Sequence, residues 1–74
     1  MIEYIGISEQ GKARLANHTI DFIRGYINID GNEYHWWMYI SSHDGTDIQL
    51  SEILPDHLKE EAALAIEEFI EDTR

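Results

Sequence analysis

Two hydrophobic rhythms divide this chain. Over residues 55–73 apolar side chains recur at three- and four-residue steps, as Leu58, Ala62, Ala65, Ile66 and Phe69, the spacing that stacks one face of an α-helix. Projected at about 100° per residue, Glu60, Glu61, Glu67, Glu68, Glu71 and Asp72 gather on the opposite side, with one apolar residue, Leu64, among them. Pro55 suits the first turn of this helix, where its missing N–H leaves no bond unmade. Ser51 is placed to cap a turn over residues 52–54.

Upstream the rhythm is two-residue. Thr19–Ile29, TIDFIRGYINI, is rich in β-branched and aromatic residues; Asp30-Gly31-Asn32 then supplies turn residues that tolerate positive φ, and EYHWWMYIS resumes the strand character. These features predict a β-hairpin. On its second arm Tyr34, Trp36, Met38 and Ile40 share the better core face, and His35, Trp37, Tyr39 and Ser41 share the other. On its first arm the apolar parity switches from Ile20 and Phe22 to Ile23, Ile27 and Ile29, which predicts a bulge or glycine bend around Arg24-Gly25. MIEYIGI at residues 1–7 reads as a short strand. Residues 8–17 read as a loop with one helical turn or a ragged strand entry, SSHDGT as a loop, and residues 47–50 (DIQL) as a short third strand or extended lead-in.

The simplest assembly is one α+β domain over residues 1–74, a small antiparallel sheet of three to four strands with the C-terminal amphipathic helix packed on one face. The other face is then uncovered. Adjacent Trp36 and Trp37 must point to opposite sides of a regular strand, so one indole lies away from the helix. Trp37 and Tyr39, expected near Ile27 or Ile29, predict an apolar patch of the kind that marks an interface, including a homodimer interface.

Composition narrows the function classes. A hydrophobic content of 43% supports a folded core, although 74 residues without a cysteine is near the size at which a single core suffices unaided. No apolar run approaches the roughly 20 residues a membrane-spanning helix needs, and no basic-then-apolar leader opens the chain, so a soluble, cytoplasmic protein is expected. Fifteen acids against five bases give a net charge of −10, which disfavours nucleic acid and anionic membranes as direct partners and selects basic ones. Residues 52–74 hold eight acids and two bases, net −6, leaving −4 for the first 51 residues.

Candidate chemistry is sparse. Ser42-His43-Asp44 has the residue types of a hydrolytic triad, but three consecutive residues cannot form the relay, and no nucleophile elbow surrounds the serine. His18, His35, His43 and His57 lack helical or finger-like ligand spacing, so neither a metal nor another cofactor is expected; His43 with Asp44 and Asp47 is the nearest approach to a cluster. Asp30-Gly31-Asn32-Glu33 and Asp44-Gly45-Thr46-Asp47 lack the ligand number and distal glutamate of a calcium loop and read as turns. A non-enzymatic protein is the expectation.

The acidic helix face remains. Its ordinary use is a solvated surface, but Lys59 is the only base inside the helix, whereas a helix tuned for solubility interleaves lysines at i, i+4. Carboxylates four residues apart stand about 6 Å apart along the axis, and seven apart about 10 Å, close to the phosphate spacing of a nucleic-acid backbone. Glu60, Glu67, Glu68, Glu71 and Asp72 can therefore face a groove built for phosphates, with Leu64 as an apolar anchor inside the charged rim.

With its aromatic hairpin, the Asp47-Ile48-Gln49-Leu50 stretch and the acidic final helix, the chain resembles short acidic phage- or prophage-encoded interaction proteins over roughly residues 19–73. That group includes nucleic-acid mimics and inhibitors of host-defence nucleases or CRISPR complexes. The resemblance is one of overall pattern and assigns no individual residue. It implies a protein that blocks a basic, nucleic-acid-binding surface of another protein; the alternative is a small homodimeric structural or regulatory subunit joined through the open sheet face.

Overall fold

In a computed structural model, which describes residues 1–73, the chain forms β1 (Ile2–Arg14), β2 (Thr19–Ile29), β3 (Asn32–Ser41), β4 (Gly45–Leu50) and α1 (Asp56–Thr73). The strands lie in chain order as a four-stranded antiparallel meander, and α1 packs on one face. This is the expected α+β architecture, with the fourth strand realised.

Local chemistry accounts for the central hairpin. Asp30 and Gly31 form a two-residue turn with φ of 51° and 83°, and Ile29 pairs with Asn32 across it. Positive φ at both positions matches the right-handed strand twist, and Asp-Gly is among the few pairs that adopt it cheaply. Asn32 therefore belongs to β3, one residue beyond the turn.

The core is a layer between sheet and helix: Ile23, Ile27, Ile29, Trp36 and Met38 from β2 and β3, Leu54 from the connection, and Ala62, Ile66 and Ile70 from α1. The helix therefore buries an i, i+4, i+8 row. Ile70 completes that row, Ala65 and Phe69 are only half-buried at its margin, and Leu58 and Phe69 pack beside it. Trp36 is fully buried, and its indole N–H donates to the Tyr26 carbonyl at 2.9 Å, so its one polar atom is satisfied inside the core.

Two expectations are corrected in the first half of the chain. Of residues 8–17, read as a loop with one helical turn or a ragged strand entry, residues 8–14 continue β1 to Arg14 against Thr19–Arg24 of β2, and only residues 15–17 form a loop. Pairing with a ready-made strand outweighs the weak local preference of SEQGKAR. The predicted bulge near Arg24-Gly25 lies in the neighbouring strand instead. The β2–β3 register is unbroken there, whereas β1 slips between Ile7 and Glu9, opposite Gly25 and Arg24, and again between Ile2 and Tyr4. Ile23, Gly25, Ile27 and Ile29 simply face the helix, and Ile20 and Phe22 face away from it.

Candidate interaction surface

Helical periodicity places the acidic residues of α1 with some order. The buried row fixes the inward direction, and at about 100° per residue Leu64 falls at the opposite extreme of the helix. It is 56% exposed. Its neighbours at i±3 and i±4 are Glu60, Glu61, Glu67 and Glu68, all exposed. The carboxylates form two rows, Glu60, Glu67 and Glu71 on one flank of Leu64 and Glu61, Glu68 and Asp72 on the other. The acidic set that the sequence places on one side of the helix thus divides in two. Glu61, left out of the expected partner-binding set, completes the second flank, a placement that helical projection alone could have shown.

Among the described residues little neutralises this face. Lys59, half-buried at its edge, is engaged by Asp56 at 3.0 Å, and no base stands in the last helical turn. The negative end of the helix macrodipole already disfavours anions there. Glu67, Glu68, Glu71 and Asp72 therefore concentrate negative potential over the C-terminal half of α1.

The sheet face away from the helix differs from the expected apolar patch. Ile27 and Ile29 are buried under α1 and take no part in it. Trp37 lies beside Arg24, whose guanidinium sits 5.9 Å from the indole ring centre and also bonds Glu9 at 3.3 Å. Tyr39, 41% exposed, has Phe22 on one side and Asp47 on the other. The face alternates rings with charges beside Trp37, because the parity of β2 that meets it carries Ile20, Phe22, Arg24, Tyr26 and Asn28 rather than Ile27 and Ile29.

The remaining candidates resolve into structural roles. The Ser41 hydroxyl accepts from the backbone N–H groups of His43 and Asp44, each at 3.1 Å, and the Ser42 hydroxyl accepts from the Thr19 N–H at 3.2 Å, so this segment is a side-chain-bonded turn. The His18 and His43 rings lie 5.7 Å apart. Among the described residues no group of three or more histidines and carboxylates could hold a metal ion, and no helix is long and apolar enough to cross a membrane. At the other end of the sheet the Met1 amine pairs with the Asp30 carboxylate, and Glu3 accepts from the Gly31 N–H at 2.6 Å. The hydrogen bond that the amine donates to the Asp30 carboxylate raises the amine pKa above its ordinary value, with smaller upward contributions from the Asp30, Glu61 and Glu3 charges and a partial offset from desolvation. No protein-family model, curated protein or solved structure matches the chain.

Proposed function

We propose that this protein is a non-enzymatic interaction module whose outer helix face binds a basic, nucleic-acid-binding surface of another protein and occupies it in place of the nucleic acid. The observation that carries the reading is the ring of Glu60, Glu61, Glu67 and Glu68 around exposed Leu64, continued by Glu71 and Asp72. An apolar anchor inside a charged rim is the layout of an interface hot spot, where burial of the anchor gives affinity and the rim gives orientation and on-rate. Each row repeats at seven and then four residues, about 10 and 6 Å along the axis, which lets a groove lined with lysine and arginine meet several carboxylates at once.

The test is capture from a cytoplasmic extract on the immobilised protein at low and high salt, followed by competition with DNA or RNA. Partners retained at low salt, released at high salt and displaced by nucleic acid are the expected result. A variant with Glu60→Gln, Glu67→Gln, Glu68→Gln and Glu71→Gln, which leaves the buried row untouched, should retain none of them. Equal capture by that variant would overturn the electrostatic basis of the proposal, and partners indifferent to nucleic acid would overturn the mimicry.

A further inference from the structure

The two edges of the sheet are built differently. β1 is interrupted by register slips at Glu3 and Ser8 and carries Glu9, Lys12 and Arg14, the bulges and charges by which an edge strand avoids pairing with other chains. β4 has neither device. Its pairing with β3 is regular from Gly45 to Leu50, Asp47 is its single charged residue, and it contains no proline or lysine.

The hydrogen-bond parity of β4 follows from one contact. The Ser51 N–H donates to the His35 carbonyl at 3.1 Å, in register with the pairs Trp37–Gln49 and Tyr39–Asp47. Antiparallel pairs alternate between bonded and non-bonded, so Gln49 and Asp47 bond inward to β3. Thr46, Ile48 and Leu50 consequently turn their N–H and C=O groups to the outer edge, where the sheet ends.

Next to this edge, on the helix side, lies an open cleft of about 440 Å³ lined by Met38, Ile40, Thr46, Ile70, Glu67 and Glu71. Its floor is apolar and its helix rim is two carboxylates. On the opposite side of the sheet β4 presents Asp47 and Gln49, both exposed. We infer that the free edge of β4 docks an extended segment of a partner, with alternating basic and apolar residues, which joins the sheet as a fifth strand. Main-chain bonds to Thr46, Ile48 and Leu50 hold the segment. Apolar side chains on its helix side enter the cleft over Met38, Ile40 and Ile70, and the alternate basic ones, on the opposite side of the sheet, reach Asp47. Such edge addition takes affinity from backbone pairing and specificity from alternate side chains.

Charge selects the occupant. A second copy of this chain would bring another −10 and set its own Asp47, Glu67 and Glu71 near those of the first, whereas a cationic segment pairs with Asp47 and is drawn by the field of the other two. Docking at this edge rests on the proposed use of the helix face and adds the conformation of the partner segment to it.

The test uses two synthetic heptapeptides of equal charge, Lys-Val-Lys-Val-Lys-Val-Lys and Lys-Gly-Lys-Gly-Lys-Gly-Lys, titrated into the intact protein. Affinity is read by fluorescence or calorimetry, and amide hydrogen exchange by NMR. The expected result is about tenfold tighter binding of the valine peptide, equivalent to about 1.4 kcal/mol, with slowed exchange at the amides of Thr46, Ile48 and Leu50 alone among the β4 residues. Asp47→Asn should lower that affinity without changing the protected set. Thr46→Pro, which removes an outward N–H and leaves the β3 ladder intact, should reduce the preference for valine. If both peptides bind equally and shift only helix resonances, the edge site is wrong and the acidic face stands. If neither binds at low salt, both readings fall. Mass measurements showing a dimer that protects the same amides without peptide would assign the edge to a second copy and overturn the inference.

Discussion

Three glycines in the sheet each lie beneath an aromatic ring, and space rather than backbone freedom explains them. A Cβ on Gly6 would strike the Tyr26 ring, one on Gly11 would come within 2.5 Å of the Phe22 ring, and one on Gly25 would meet the Gly6 carbonyl and the Trp36 ring. Tyr26 and Phe22 thereby lie across β1 on the open face, and Trp36 lies across β2 on the core face, which restores apolar cover where glycine offers no side chain. Replacing Gly6 with alanine should lower stability by about 1–3 kcal/mol through overpacking, read as a fall in the urea midpoint. In a Tyr26→Ala background the same replacement should cost much less, because the clashing ring is gone. Strictly additive losses would show that the ring does not decide the position. In the sequence these glycines looked like weak points within strand-like runs; their partners are 20, 11 and 11 positions away along the chain for Gly6–Tyr26, Gly11–Phe22 and Gly25–Trp36 respectively, and only the register brings each pair together.

Among the elements, α1 separates packing from surface most cleanly. Ile66 is fully buried and Leu64, two positions earlier, is 56% exposed. Ile66→Ala should cost about 2–5 kcal/mol through lost burial and the cavity left behind. Leu64→Ala should stay within about 0.5 kcal/mol of the parent, measured by the same denaturation, while weakening partner capture. A large stability loss from Leu64→Ala would mean that α1 is rotated about its axis and packs Leu64 against the sheet. Periodicity made α1 legible, and Asp30-Gly31 made the β2–β3 hairpin legible, since both signals are local. The length of β1 and the face taken by Ile27 and Ile29 were not legible in the same way. SEQGKAR becomes a strand because Thr19–Ile23 offers it a ladder, and which parity of β2 meets α1 depends on where Trp36 finds room over Gly25. The acidic face was readable as a set of residues, and helical projection alone divides it into two rows around Leu64; that Leu64 stands at the outer extreme followed only once buried Ala62, Ile66 and Ile70 fixed the inward direction of the helix.

At the scale of the whole molecule, a charge of −10 on 74 residues is held within a radius of gyration of 12.8 Å. The ion pairs resolved among the described residues, Met1–Asp30, Lys12–Asp21, Arg24–Glu9 and Lys59–Asp56, each include at least one well-exposed partner and contribute little individually. The unbalanced carboxylates repel one another, so the folded state works against its own field. Raising monovalent salt from about 0.01 M to about 0.15 M shortens the screening length from about 30 Å to about 8 Å. That change should raise the melting temperature of the free protein, because the repulsion it screens is greater in the compact state than in the expanded chain. The same change should weaken the proposed partner binding, in which the carboxylate rows attract a basic surface and salt screens that attraction. Opposite signs over one salt range are the signature expected of a surface whose charge costs stability and serves recognition. The Glu60→Gln, Glu67→Gln, Glu68→Gln, Glu71→Gln variant should flatten both slopes together, with a higher melting temperature at low salt and no salt-sensitive capture. A melting temperature that falls with salt in the parent would show that its carboxylates are neutralised within the fold, and the outer face of α1 would then be an ordinary solvated surface.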